Sequence, residues 1–141
     1  PDLLEADTVR LLAAGATVSA VEYLDALHER ARYVRAWGRF FDEYDVLLTP
    51  TMQMTAFPVG QLTPDNIDGA PVDPFFDDWC GFCLPANLTG MPAISVPCGF
   101  TGAGLPVGLQ IAGKPFDEPT VLRMAYAYQQ HVRWFEKRPP M

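Results

Sequence analysis

Residues 93–111 read AISVPCGFTGAGLPVGLQI, and this stretch decides the fold that we expect. Its two ends, residues 93–97 and 107–111, are short apolar runs, and Gly102 and Gly104 lie between them. Two such runs on either side of a glycine-containing turn are typical of neighbouring antiparallel strands. The sequence therefore predicts a β-hairpin with a glycine-rich turn at residues 102–104.

Amphipathic helices are predicted before and after this hairpin. Ser19 and Glu22 have the spacing of a capping box. A long helix follows, because apolar residues recur there every three or four positions, at Val21, Leu24, Leu27, Ala31, Val34, Trp37 and Phe41. Asp117 is expected to cap a last helix, ended by residues 138–140, with an apolar stripe at Val121, Leu122, Ala125, Tyr128, Val132 and Phe135. A shorter helix is expected over residues 3–14, with Gly15 as its stop.

Between the long helix and the hairpin we expect one strand and a long loop. Residues 45–49, DVLLT, form a short apolar run before Pro50, which indicates a buried strand. Residues 50–85 contain six prolines and no sustained periodicity, so they predict a loop with at most one or two helical turns. Its aromatic residues favour a packed loop: Phe57, Phe75, Phe76, Trp79 and Phe82. Three helices and three strands make a mixed α/β chain, expected to be one flank of a larger sandwich.

Composition excludes several classes of protein. With 141 residues, of which 49% are hydrophobic and 19% charged, the chain is expected to form one domain with a core. A formal net charge of −7 argues against nucleic-acid binding. No apolar run approaches the ~20 residues of a membrane helix, so no membrane partner is predicted. Three cysteines do not make a disulfide framework, which favours a cytoplasmic setting. The chain begins at Pro1 rather than Met, which favours a piece of a longer polypeptide.

The most suggestive local motif is WCGFC, residues 79–83. It resembles the redox site of thioredoxin-like proteins, in which the motif follows a strand and begins a long helix. Here a proline-rich segment precedes the motif, and Pro85, Gly90 and Pro92 leave no room for a long helix after it. We therefore disfavour a thioredoxin-like redox function.

The other reactive residues do not assemble a catalytic or metal centre. Cys80 and Cys83 supply two metal ligands, and the only histidines, His28 and His131, lie on separate predicted helices. The only two serines are expected at a helix cap and within a strand, and neither adjoins a basic residue that could activate it. We predict no metal site, no cofactor and no hydrolytic activity of this chain alone.

The order of four motifs identifies a family resemblance. They are YDVLLTPT at residues 44–51, PANLTGMPAISVPCGF at 85–100, GLPVGLQI at 104–111 and KPFDE at 114–118. Together they resemble the C-terminal third of the amidase signature family, from about Val18 to the end of the chain. Residues 1–141 are then a single piece, with residues 1–17 as a helical lead-in.

The resemblance implies a fold and a reaction. The fold is an α/β/α sandwich around a mixed, mostly parallel sheet, of which this chain is the C-terminal portion. The reaction is hydrolysis of a carboxamide C–N bond to an acid and ammonia or an amine. Family members use a Ser–Ser–Lys triad that lies in the N-terminal part, so no catalytic residue is expected here. The implied partners are that missing N-terminal catalytic part and a small amide substrate.

The resemblance also suggests roles for residues in and after the loop. The region of Thr51, Phe57, Phe76, Trp79 and Phe82 shapes the acyl pocket in the family, so these residues are pocket-lining candidates. The block that contains Asn87, Gly90 and Pro92 resembles the segment that packs beneath the nucleophile. For these three residues we favour a structural role in shaping a turn over direct contact with substrate.

Two alternatives remain open. The A subunits of glutamyl-tRNA amidotransferases form a branch of the family that usually carries an Asp, thought to hold the amino group of glutamine, seven residues before the Asn. Cys80 occupies that position here, which favours a general amidase. The other alternative is a non-catalytic interaction module on the same scaffold. A truncated sheet would leave an unpaired edge and uncovered helix faces, so self-association of the isolated chain is expected.

Overall fold

The computed structural model describes residues 4, 6–61, 63–72 and 78–137. The helices are α1 (Ala6–Gly15), α2 (Ala20–Glu43), α3 (Leu84–Thr89) and α4 (Glu118–Val132), with single 3₁₀ turns at Asp78–Cys80 and Trp134–Glu136. The strands are β1 (Val46–Pro50), β2 (Asn66–Ile67), β3 (Ala70–Pro71), β4 (Ala93–Phe100) and β5 (Pro106–Gly113). The chain is α/β, as the sequence predicts. In these residues no helix has both the length and the apolar character that crossing a membrane requires.

Three strands form the main sheet in the order β1-β5-β4, with both pairings antiparallel. The predicted hairpin of β4 and β5 is confirmed, and both strands extend beyond the predicted limits. Its register pairs Ile94 with Ile111 and Val96 with Leu109, and a bulge lies between Pro97 and Gly99. β1 adds to the other edge of β5, so β5 is the central strand although it is the last of the three in the chain.

Helices cover both faces of this sheet. On one face, Val96 and Ile111 pack with Val121 and Ala125 of α4, and all four side chains are buried. On the opposite face, Ala112 packs with Phe41 of α2 and with Met91, which follows α3. Because successive residues of a strand point to opposite faces, Ile111 belongs to the core layer under α4 and Ala112 to the layer under α2. This chain therefore contributes an α/β/α arrangement.

The long helix begins as predicted, and half of its apolar stripe is uncovered. The Glu22 N–H donates to Ser19 Oγ at 3.2 Å and the Ser19 N–H donates to Glu22 Oε2 at 2.8 Å, which completes the capping box. Phe41 near the other end is 5% exposed, whereas Val21 is 68% and Leu24 53% exposed. The first half of the stripe thus has an apolar surface that the described residues do not cover.

Two predicted elements differ in extent or burial. The sequence predicts that residues 138–140 end the last helix, whereas α4 ends at Val132, because Arg133 takes a left-handed conformation with φ of 46°. Leu122 is 58% exposed, since Val121 beside it faces the sheet and adjacent helical residues point apart. Among the described residues β1 is not the buried strand that its apolar run predicts; it lies at an edge of the three-stranded sheet, and Leu48 is 45% exposed.

The segment between β1 and β4 has more structure than the predicted loop. Asn66 pairs with Pro71 and Ile67 with Ala70, so β2 and β3 form a small hairpin. α3 adds a short helix before β4, in agreement with the prediction of one or two helical turns and with the absence of a long helix after the WCGFC motif. Arg30 Nε of α2 donates to the Leu88 carbonyl at 2.7 Å, which joins α3 to the long helix.

Candidate functional site

A cavity of about 400 Å³ lies at the end of the sheet where β1 leaves and β5 enters. Its walls are residues 52–57, Trp79 and residues 106–108. These positions come together because Pro50 pairs with Leu109, which brings the chain after β1 beside the start of β5. None of these described lining residues is charged, and Met52, Met54, Phe57, Trp79 and Val107 make the surface mainly apolar.

Two of the predicted pocket residues lie in this wall. The rings of Phe57 and Trp79 contact each other edge to face, with centroids 5.7 Å apart and an interplanar angle of 88°. This geometry is favourable for aromatic pairs and fixes both rings. Nε1 of Trp79 is buried without a hydrogen-bond partner. The two rings form one side of the cavity, and contact with a substrate remains a prediction.

Phe82 lines a second, smaller cavity instead. This cavity of about 180 Å³ lies between the sheet and α3, and its lining includes Trp37, Leu47, Met91 and Gln110. The carbonyl of Phe82 accepts a hydrogen bond from Gln110 Nε2 at 2.8 Å. Phe82 therefore connects the WCGFC turn to the central strand. Phe76, the remaining aromatic candidate, lies outside the described residues.

Thr51, the fifth pocket candidate, belongs to a polar cluster beside the larger cavity. Its Oγ1 lies 2.6 Å from Ser95 Oγ, and its N–H donates to the Gly108 carbonyl at 2.9 Å. A Cβ atom on Gly108 would lie 2.7 Å from Thr51 Oγ1 and 2.8 Å from Ser95 Oγ. The absence of a side chain at Gly108 therefore allows the hydroxyl pair to form above β5.

The WCGFC turn is attached to the same region. The Gly81 N–H donates to Gln53 Oε1 at 2.7 Å, and the Cys83 thiol donates to the Thr51 carbonyl at 3.3 Å. No disulfide is formed by Cys80 or Cys83. This turn thus carries Trp79 against the residues that follow β1 and helps to shape the cavity.

The three structural candidates lie at the end of α3 and at the start of β4. Gly90 caps α3 with φ of 73°, and its N–H donates to the Ala86 carbonyl at 2.8 Å. Glycine reaches this left-handed conformation without the steric cost that other residues incur. The carbonyl of Pro92 accepts from the Gly113 N–H at 3.0 Å, and Asn87 lies exposed on α3. Gly90 therefore ends α3 and Pro92 is joined to the end of β5, and the roles of Gly90, Pro92 and Asn87 near a nucleophile remain predictions.

Sequence reasoning missed several residues that build this region. Thr89 Oγ1 donates to the Pro85 carbonyl at 2.7 Å and accepts from the Met91 N–H at 3.3 Å, and so fixes the turn after α3. Gln110, a polar residue within an apolar strand, is 8% exposed and donates to Thr49 Oγ1 at 3.2 Å. A polar residue within an apolar strand was a signal in the sequence from which a buried hydrogen-bonding role for Gln110 could have been predicted. Nothing in the sequence marked Gln53.

The described part of the chain holds no group of three His, Cys, Asp or Glu side chains close enough to bind a metal ion. His131 is exposed on α4, and its Nδ1 lies 2.8 Å from the Ala127 carbonyl. What the arrangement provides is an uncharged cavity with a fixed aromatic wall and a hydroxyl pair beside it. Such a cavity is able to bind and orient a small ligand.

Known proteins share both the sequence and the fold. The chain is 47% identical over 122 residues to the A subunit of glutamyl-tRNA(Gln) amidotransferase from Brevibacillus brevis, covering 83% of this chain and 24% of that protein. It is similar to the solved structure of a bacterial aryl acylamidase of the amidase signature family, with a TM-score of 0.80 and 25% identity over 97% of this chain and 29% of that one. The corresponding A subunit from Thermotoga maritima gives a TM-score of 0.64 and 32% identity, over 91% and 28% of the two chains.

The chain spans about a quarter of the length of the curated relatives that it matches. The match to the amidase family itself runs over residues 2–122. It includes α2, the main sheet, the cavity residues and the WCGFC turn. The chain therefore belongs to the amidase signature family.

Proposed function

We propose that this chain forms the C-terminal part of an amidohydrolase, which cleaves a carboxamide C–N bond to an acid and ammonia or an amine. The family match over residues 2–122 supports the reaction class. The nucleophilic serine that attacks the carbonyl carbon, the bridging serine and the lysine base would lie in the N-terminal part of the protein. The role of this chain is to complete the sheet and to hold the substrate beside those groups.

The observation that carries this proposal is the uncharged cavity beside Thr51. Its volume of about 400 Å³ is within the ~300–1,000 Å³ of typical small-molecule sites. Burial of an apolar substituent there would contribute roughly 25 cal/mol per Å² of buried apolar area. The substrate class that fits is a neutral amide with an aromatic or aliphatic substituent, held against the rings of Phe57 and Trp79.

Holding the substrate is a catalytic contribution in its own right. Fixing a reacting carbonyl next to a nucleophile removes much of the entropic cost of the encounter. The Phe57–Trp79 contact makes one wall rigid, and the Thr51–Ser95 pair places hydroxyl groups next to it. These residues bind and orient the amide, while the chemical steps belong to groups outside this chain.

A second candidate function is the glutamine amidase activity of an amidotransferase. The curated relatives favour it, since those of Brevibacillus brevis and Chloroflexus aggregans are both named as A subunits of glutamyl-tRNA(Gln) amidotransferase. Glutamine carries a charged amino group and a charged carboxylate, which require charged or strongly polar partners when they are buried. Cys80 stands where that branch usually has an aspartate, and the described lining of the cavity is uncharged. We therefore favour a neutral amide.

The test is ammonia release by the complete protein from neutral aromatic and aliphatic amides and from L-glutamine. We expect turnover of the neutral amides and a kcat/KM at least tenfold lower for glutamine. A preference for glutamine would favour the second candidate, and turnover of neither class would refute the hydrolase proposal. The isolated 141-residue chain is expected to release no ammonia.

A matched pair of variants tests the cavity. Trp79→Ala removes one of the two fixed rings, so KM for an aromatic amide should rise about tenfold, which corresponds to roughly 1.4 kcal/mol of binding. Leu122→Ala changes an exposed residue on α4 and should leave KM unchanged. Equal KM values for the two variants would show that the substrate binds elsewhere.

A further inference from the structure

We propose that Cys80 and Cys83 are a redox-responsive modification site, which closes to an intrachain disulfide with a peroxide and reopens with a thiol reductant. The amidohydrolase proposal does not require this pair. It also differs from a thioredoxin-like activity, because the protein here is the target of the oxidation and not a carrier of electrons to a substrate.

The first support is the geometry of the turn. The Cys83 N–H donates to the Cys80 carbonyl at 2.8 Å, so the two residues are the first and last of a hydrogen-bonded turn. Such residues have Cα atoms less than ~7 Å apart. Disulfides join Cα atoms about 4.4–6.8 Å apart. The backbone therefore already brings the two cysteines to a separation that a disulfide can span.

The second support is that the turn is fixed from outside. Gln53 Oε1 accepts the Gly81 N–H at 2.7 Å, within the turn itself. A Cβ atom on Gly81 would lie 2.8 Å from the same Oε1 atom, so the close approach depends on glycine. Because the turn is already held in place, closing the disulfide ring costs less conformational entropy than it would in a mobile segment.

The third support is access. Cys80 and Cys83 are both half-buried, so part of each residue reaches solvent. Cys98 is also half-buried, but it lies on β4, where its thiol donates to the Val107 carbonyl at 3.4 Å. Cys98 therefore serves as an internal reference of similar exposure on a separate element.

The proposed reaction balances with a peroxide as the oxidant. One thiol attacks hydrogen peroxide to give a sulfenic acid and one molecule of water. The second thiol then displaces the sulfenic oxygen as a second molecule of water, and the S–S bond forms. The two thiols lose two protons and two electrons in total. A dithiol such as dithiothreitol reverses the change by thiol–disulfide exchange.

Oxidation would change the wall of the cavity. In the disulfide, Cys83 no longer has the S–H group that donates to the Thr51 carbonyl at 3.3 Å. This contact attaches the start of α3 to the residues that leave β1, and Trp79 of the cavity wall precedes Cys80 directly. The oxidised and reduced proteins should therefore differ in tryptophan fluorescence, to which Trp79 contributes, and in the hydrogen exchange of the turn.

The experiment treats the purified protein with hydrogen peroxide and then blocks the remaining thiols with N-ethylmaleimide. No Lys or Arg lies between Arg39 and Lys114, so trypsin would leave all three cysteines in one fragment. Chymotrypsin cuts after Phe82 and separates Cys80 from Cys83. No Phe, Tyr or Trp lies between Cys83 and Cys98, so the second peptide contains both of them. We expect the two peptides to remain joined, about 2 Da below the summed mass of the Cys80 peptide and the second peptide with one blocking group on Cys98, and to separate with dithiothreitol.

Single variants identify the pair. Cys98→Ser should keep the joined peptides, whereas Cys80→Ser and Cys83→Ser should each abolish them. Blocking of all three cysteines after peroxide, or a link that includes Cys98 or a second chain, would overturn the proposal. A joined pair without a change in tryptophan fluorescence or in the hydrogen exchange of the turn would overturn the proposed effect of the disulfide on the cavity.

Discussion

Replacing Gly113 with alanine tests the packing between β5 and α4. Gly113 is the last residue of β5 and is buried. A Cβ atom there would lie 2.5 Å from Cγ2 of Val121, well inside the ~3.5 Å at which non-bonded carbon atoms meet favourably. Val121 is only 3% exposed, so its side chain has little space into which it can move.

The expected magnitude follows from two opposing terms. Adding a methylene-sized group to a packed core costs about 1–3 kcal/mol. Replacing glycine with alanine also lowers the conformational entropy of the unfolded chain, which stabilises the folded state by roughly 0.4–1 kcal/mol and offsets part of this cost. The free energy of unfolding should therefore fall by about 1–2 kcal/mol. Val121→Ala alone should cost about 2 kcal/mol, from the lost burial of two carbon atoms and the space they leave.

The double variant gives the decisive result. In Gly113→Ala with Val121→Ala, the new methyl group occupies space that the smaller side chain leaves, so the combined loss should be about 1 kcal/mol less than the sum. The assay is urea unfolding followed by tryptophan fluorescence at one fixed protein concentration. Gly102→Ala, where a Cβ atom would meet nothing within 4 Å, is the control. Strict additivity, or a Gly113→Ala variant as stable as the control, would refute the reasoning.

Three further predictions concern the helix cap, the hydroxyl pair and the uncovered helix face. Ser19→Ala should destabilise the long helix by about 1 kcal/mol, measured by thermal unfolding. The hydrogen bond from the Ser19 side chain, and next that from the Ser19 backbone, lowers the pKa of Glu22 below 4.5. The stabilisation of the folded chain by ionised Glu22 is therefore present above about pH 4.5 and is lost as the pH falls through the lowered pKa. The dependence of the melting temperature on pH in that acid range should be weaker in Ser19→Ala, and an unchanged dependence would contradict this assignment. Gly108→Ala should separate the hydroxyls of Thr51 and Ser95 and lower the free energy of unfolding by about 2 kcal/mol. In a Ser95→Ala background this loss should be smaller, and equal losses in urea unfolding would show that the new methyl group does not clash with Ser95. The isolated chain should self-associate through the exposed first half of α2, so the double variant Leu24→Glu with Leu27→Glu should shift its sedimentation towards the monomer. Val59→Glu, in the loop, should leave the sedimentation unchanged, and a monomeric parent chain would contradict the prediction.

Features that depend on a few neighbouring residues were readable from the sequence. The capping box at Ser19 and Glu22 and the cap at Asp117 are local hydrogen-bond patterns, and both are present. The β4–β5 hairpin is also local, because its turn and both strands lie within one short stretch. The small hairpin of β2 and β3 had a readable signal as well: Asp68 and Gly69 both have positive φ, as Asp-Gly turns between strands favour.

Features that depend on distant residues were not readable. The apolar run of β1 resembles a buried strand, but its burial is decided by β5, which lies far along the chain and covers only one of its edges. The predicted pocket aromatics divide between two cavities because Trp79 and Phe82 point to different sides of one short turn. The left-handed conformation of Arg133 that ends α4 has no sequence signal, since arginine seldom adopts positive φ.

The position of β5 in the middle of the sheet has a consequence for the order of folding during synthesis. β1 leaves the ribosome before β5, because β5, its only partner among the described strands, is made after the loop, α3 and β4. The β4–β5 hairpin closes a short loop and is able to form as soon as it emerges, whereas the β1 ladder requires the ends of a long segment to meet. Until Gly113 has been made, β1 lacks the full pairing with β5, and protection of this strand edge from aggregation at this stage has to come from the rest of the nascent chain or from a chaperone.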